Sequence, residues 1–133
     1  MSDKLKNVIL LVEDEPDIAM VLSARLQVNG YRVIHESDGK KGLEAARTGD
    51  VDLILTDLMI PKLSGFELCQ MLKMNDATKH IPIIVLSGLS DSSDRDKAIS
   101  AGADAYCIKP FDLDLLLSKI RSLIKNPVNR RMK

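Results

Sequence analysis

Short apolar runs that do not alternate with polar residues leave this chain few ways to fold. Residues 7–12, 52–56 and 81–86 are nearly continuous Val, Ile and Leu. A strand with one face in water alternates apolar and polar residues, so these runs predict strands covered on both faces, as in a parallel sheet. Residues 31–35 and 104–108 read as two further strands. Segments of helical length separate the strands. Pro16 opens the first, with Ile18, Val21, Leu22, Arg25 and Leu26 at helical spacing and Gly30 just past its end. The second, residues 39–48, rests on Leu43, Ala45 and Ala46. In the third, Ser64 caps the N-terminus and Phe66, Cys69 and Leu72 pack inward. The fourth, residues 92–101, is mostly polar, with Ala98, Ile99 and Ala101 to bury before Gly102 ends it. The fifth carries a stripe of Leu113, Leu116, Leu117, Ile120 and Ile124 behind Asp112 as a cap. Strict alternation of strand and helix, with right-handed crossovers, predicts an α/β fold: a doubly wound five-stranded parallel sheet with five helices.

The chain has 133 residues, enough for one compact domain, and 45% of them are hydrophobic, so a core forms without disulfide or metal. Cys69 and Cys107 lack metal-ligand spacing and read as small buried hydrophobes in a reducing cytoplasm. No apolar run approaches the ~20 residues of a membrane span. The short charged N-terminus is not a signal peptide. Net charge is zero and aromatics make up 3%, so neither a basic face nor stacking rings argue for direct nucleic-acid binding. Residues 1–125 are expected to form the domain, and residues 126–133 a short basic tail.

Ligands of open α/β sheets bind beyond the carboxyl ends of the strands. The first strand here runs into Glu13 and Asp14, the third into Asp57, the fourth into Ser87 and Gly88, and the fifth into Lys109 and Pro110. The second ends in His35, Glu36, Ser37 and Asp38, which at an outer strand reads as a solvated turn. Each residue alone has an ordinary role: Asp as a turn former, Ser as a turn residue, Lys as a surface charge. Their joint placement at equivalent strand ends does not. Three carboxylates in one crevice repel one another unless a cation joins them. Oxygen ligands without His or Cys favour Mg²⁺, with Mn²⁺ able to substitute. Three carboxylates, one divalent ion and the Lys109 ammonium sum to about zero, a balance that can accept a phosphoryl group on a nucleophilic carboxylate. Lys109 and the metal would neutralise charge on the transferring group, and Ser87 would donate a hydrogen bond to it.

The stretches at residues 9–16, 52–61, 81–88 and 102–111 resemble the receiver domains of bacterial two-component response regulators, most of all the single-domain, chemotaxis-type receivers. The resemblance spans residues 7–125. It implies a flavodoxin-like strand order of 2-1-3-4-5 and a signalling role rather than an enzyme acting on other molecules. Asp57 would be the phosphoacceptor, taking its phosphoryl group from a phosphohistidine on a sensor histidine kinase or a histidine phosphotransfer protein. Asp14 would bind the metal directly, Glu13 through water, and the Met59 carbonyl would be a further ligand. Lys109 would contact the phosphoryl group, with the Lys109–Pro110 bond often cis in the family. Ser87 and Tyr106 match its switch pair, which would remodel the surface of helix four, strand five and helix five for a downstream effector. Glu13 stands where Asp is more common in the family, and Ser87 where Thr is. Met59 and Leu89, each two positions beyond a site residue, are apolar and predict a persistent phosphoryl group.

Three rival readings compete. A haloacid-dehalogenase-type phosphohydrolase would need a second Asp at position 59, where Met stands. A flavodoxin would need a Ser/Thr/Gly-rich loop in place of residues 13–16. A pseudo-receiver that binds partners without phosphorylation would not need the complete residue set.

Overall fold

The computed structural model describes residues 6–88, 92–110 and 112–124, with the backbone alone at position 92. The expected tail, Leu89 and Phe111 lie outside the described residues. Five strands, β1 (Val8–Val12), β2 (Arg32–Glu36), β3 (Leu53–Asp57), β4 (Ile83–Ser87) and β5 (Ala105–Ile108), alternate with α1 (Pro16–Val28), α2 (Gly39–Thr48), α3 (Gly65–Lys73), α4 (Ser92–Ala101) and α5 (Leu113–Leu123). All neighbouring strands pair parallel, in the order β2-β1-β3-β4-β5. The switch point lies between β1 and β3, where the chain's winding changes sides.

Alternate residues of the buried strands supply two separate cores. Val8, Leu10, Val12, Ile54, Ile83 and Val85 pack beneath α2, α3 and α4. Ile9, Leu11, Leu53, Leu55, Ile84 and Leu86 pack beneath α1 and α5. That division explains the unbroken apolar runs, because each successive side chain enters a different core. Fully burying a Leu or Ile contributes about 1.5–3 kcal/mol, so β1 and β3 anchor the domain.

Strand boundaries shift toward the functional edge. Ile81 and Pro82 precede β4, since Pro82 has no N–H for the ladder, although its carbonyl accepts from Ile54 N at 2.9 Å. Asp57 and Ser87 are the last residues of their strands rather than the first beyond them. Their backbones are therefore held by the sheet.

Two helix faces differ from expectation. The buried stripe of α1 is Ala19, Leu22 and Leu26, while Val21 is 60% exposed and Ile18 only half-buried. Ala19, Leu22 and Leu26 stand three and four residues apart on one helix face, and Val21 falls to its side. On α4, Ala98 and Ala101 are buried but Ile99 is exposed. α3 begins with a full capping box between Ser64 and Glu67. Gly30, past the end of α1, takes φ +94° and closes the turn into β2.

Candidate functional site

β1 carries Glu13 and Asp14 out of its carboxyl end, beside Asp57 on β3. Carboxylate oxygens of Glu13, Asp14 and Asp57 lie within 4.8 Å of one another. Among the described residues they are the one acidic group of this kind. Glu13 is 1% exposed, whereas Asp14 is exposed and Asp57 half-buried. Lys109, at the end of β5, reaches across: its Nζ lies 2.7 Å from Asp57 Oδ2 and 3.2 Å from Glu13 Oε1. Its peptide bond to Pro110 is cis. Lys109 N also donates to Ser87 O at 2.7 Å, which ties the β4 and β5 ends together.

Backbone groups orient the acids. Glu15 N donates to Glu13 Oε2 at 3.2 Å, and Met59 N donates to Asp57 Oδ1 at 3.2 Å. The buried Thr56 hydroxyl donates to the Asp57 carbonyl at 2.9 Å. Burial raises the Glu13 carboxyl above its usual range, and the Asp57 charge adds to the rise; Glu15 N–H and Lys109 offset only part of it. Burial alone would lower the Lys109 pKa, but its hydrogen bond and charge interaction with Asp57, followed by those with Glu13, hold it above the usual value. Three carboxylates face one ammonium at this edge, and the buried Glu13 carboxyl resists ionisation even beside it, so the group is short of positive charge. An all-oxygen donor set with that deficit fits a hard divalent cation, Mg²⁺ foremost. The Met59 side chain is 69% exposed at the rim.

The structure brings Glu13, Asp14, Asp57, Lys109 and Ser87 to one sheet edge, with Ser87 itself 1% exposed. Tyr106 lies apart from the acids, half-buried on β5, in register with Val85 of β4. It lines a groove with Arg95, Ile108, Leu115 and Lys119 between α4 and α5.

The end of β2 is more than the solvated turn expected from its composition. Asp38 is buried and caps α2, accepting from Lys41 N at 2.8 Å. His35 Nε2 lies 2.7 Å from the Glu13 carbonyl oxygen. A polar cluster beyond a strand was the only sequence signal of either role.

Residues 9–121 match the family model of the response regulator receiver domain. The chain is 40% identical over 124 residues to the response regulator ArlR of Staphylococcus saprophyticus, covering 93% of this chain and 55% of that one. It is 38% identical over 117 residues to the DNA-binding dual master transcriptional regulator RpaA of Synechocystis, covering 88% of this chain and 48% of that one. The chain thus spans about half the length of these curated relatives. The second name runs against extending an expectation of no nucleic-acid contact to a longer protein of this kind. Among solved structures, the receiver domain of the Pseudomonas aeruginosa sensor histidine kinase PA1611, with magnesium in its active-site cleft, aligns with a TM-score of 0.83 and 32% identity, covering 90% of this chain and 98% of that one. The Vibrio cholerae chemotaxis response regulator CheY4 aligns with a TM-score of 0.82 and 28% identity, covering 89% and 98%. None of these favours the phosphohydrolase, flavodoxin or pseudo-receiver readings. No described helix is long and apolar enough to cross a membrane. By its sequence match, its strand order and its solved relatives, the chain belongs to the response regulator receiver domain family.

Proposed function

We propose that this domain, residues 1–125, is a phosphoacceptor switch working in the cytoplasm. The observation that carries the reading is the convergence of three carboxylates and Lys109 on one sheet edge. An Asp57 carboxylate oxygen bonds to phosphorus as the phosphorus–nitrogen bond of a phosphohistidine breaks, and the electron pair returns to the imidazole. Lys109 follows the charge onto the phosphoryl oxygens. Glu13, Asp14, Asp57 and the Met59 carbonyl would hold Mg²⁺, or Mn²⁺ in its place. When bound, the ion supplies charge neutralisation at the transferring group. Ser87 donates its hydroxyl to the phosphoryl group and, with Tyr106, passes the change to the surface of α4, β5 and α5. Among its described side chains α4 buries only small ones, Ala98 and Ala101, which makes it the low-stability element of that surface. The donor is a sensor histidine kinase or histidine phosphotransfer protein, and the reader a downstream effector protein. No substrate other than its own Asp57 is turned over.

The test is intact mass after incubation with acetyl phosphate, with and without Mg²⁺, beside Asp57→Asn. A metal-dependent gain of one phosphoryl group, absent from the variant, is expected. Folded wild-type protein that gains none would sink the proposal.

A further inference from the structure

Glu13 is the last residue that β2 holds, and it is held twice. Its N–H donates to Glu36 O at 3.0 Å, extending the β1–β2 ladder one step beyond Val12. Its carbonyl oxygen meets no strand partner there and faces His35 Nε2 at 2.7 Å instead. A carbonyl oxygen only accepts, so His35 carries its proton on Nε2 and donates. The strand's alternation puts His35 there. Val33, two residues earlier, packs into the core beneath α1, so His35 points to the side of the sheet from which the chain climbs into α1.

That contact governs more than one carbonyl. The Glu13 carbonyl and the Asp14 N–H share a planar peptide unit, so fixing the oxygen fixes the plane from which the Asp14 Cα departs. Asp14 is the exposed member of the acid group, and its own carboxylate has the least protein around it to orient it. On the other side, Glu15 N reaches back to Glu13 Oε2, closing a short loop whose exit direction depends on that peptide plane.

We infer that His35 is a positioning residue for the acid group, holding the Glu13–Asp14 peptide so that the Asp14 carboxylate meets those of Glu13 and Asp57 with little reordering on metal binding. This rests on the reading that the acid group binds a divalent ion. Groups that orient metal ligands commonly account for 10–100-fold in affinity. At this exposed edge water can replace part of the hydrogen bond, so the expected loss is roughly threefold to tenfold.

The experiment compares wild type, His35→Ala and His35→Gln, the last offering an amide N–H in place of the ring N–H. Mg²⁺ alone is titrated by calorimetry, and amide exchange of Asp14 and Glu15 is followed in metal-free protein. His35→Ala is expected to weaken Mg²⁺ binding and speed exchange at Asp14 and Glu15, with Gln restoring most of both. In acetyl phosphate labelling, the change should fall on the Mg²⁺ concentration giving half-maximal rate rather than on the rate at saturation. Affinity within twofold of wild type in His35→Ala, or a Gln variant as impaired as Ala, overturns the assignment. Should wild type bind no Mg²⁺, the metal reading fails by itself, and the metal-free exchange still decides whether His35 positions the loop: unchanged exchange in His35→Ala rejects it.

Discussion

Glu13 is almost fully buried beside Asp57, and its carboxyl sits above the ordinary value of 4.5 because burial and a like charge both oppose ionisation. The folded chain therefore holds that proton more tightly than the unfolded one. Stability falls as pH rises from 4.5 through the raised folded value, and the loss is complete once the pH is well above that value. Without metal, Glu13→Gln should melt higher than wild type at pH 7, with the gap closing near pH 4 as both chains carry a neutral group there. A variant that melts no higher at pH 7 would show that the Lys109 contact outweighs the burial. Cys69 gives a second test at this scale. Burial pushes its thiol up to about 12, and Cys107 also moves upward. At pH 8 the Cys69 thiolate is on the order of one part in ten thousand, so iodoacetamide should leave it unmodified in folded protein and alkylate it in guanidinium. Sequence patterns made both cysteines legible as buried, and Glu13, Asp14, Asp57, Ser87 and Lys109 legible as one edge. They left His35 unread, because a side chain that meets a neighbouring loop's carbonyl has no periodic signature.

At the scale of elements, the close seat of α3 on the end of β3 sets where Asp57 stands. A Cβ at Gly65 would come within 2.9 Å of both Asp57 O and Leu58 Cα, which are backbone atoms with no room to yield. Gly65 N also donates to Leu58 O at 2.8 Å. Gly65→Ala should therefore cost about 1–3 kcal/mol in urea unfolding and slow acetyl phosphate labelling of Asp57, since α3 must lift from the strand that carries it. Ser64→Ala provides the contrast. Losing its half of the capping box should cost about 1 kcal/mol while leaving the labelling rate alone. If both variants slow labelling equally, stability rather than the seating of α3 is responsible. The same elements show what periodicity reads well and badly. α5 followed its stripe, with Leu116, Leu117, Ile120 and Ile124 buried and Leu113 half-buried against the same core. The expected stripe of α1 was set by Val21, which is more apolar than Ala19, but the buried face runs through Ala19, Leu22 and Leu26 at spacings of three and four, and Val21 falls to its side. Ile99 also lies off the buried face, since among the described side chains of α4 Ala98 and Ala101 are the ones that reach the core.

For the whole molecule, the question is how a charge at one edge reaches a surface made by other elements. The two cores meet only through the sheet, so the strand ends are the shared frame. Ser87 stands in that frame between the acids and α4, buried at the end of β4, in register with Ile108 of β5. Its carbonyl already accepts from Lys109 N, a bond that depends on the backbone and survives loss of the hydroxyl. Ser87→Ala should therefore keep the acid group and Lys109 in place and still accept a phosphoryl group at Asp57. What it removes is the donor that would favour one arrangement of the β4 end once the phosphoryl group is present. A ligand shifts an equilibrium only by its differential interaction with the two states, so a site without that donor binds the group yet biases the surface less. Wild-type protein should show altered amide exchange across residues 92–108 on phosphorylation, and Ser87→Ala a smaller change at equal phosphoryl content, measured by mass on the same samples. A full exchange response in the variant would place the coupling elsewhere, in the Lys109 link between the β4 and β5 ends.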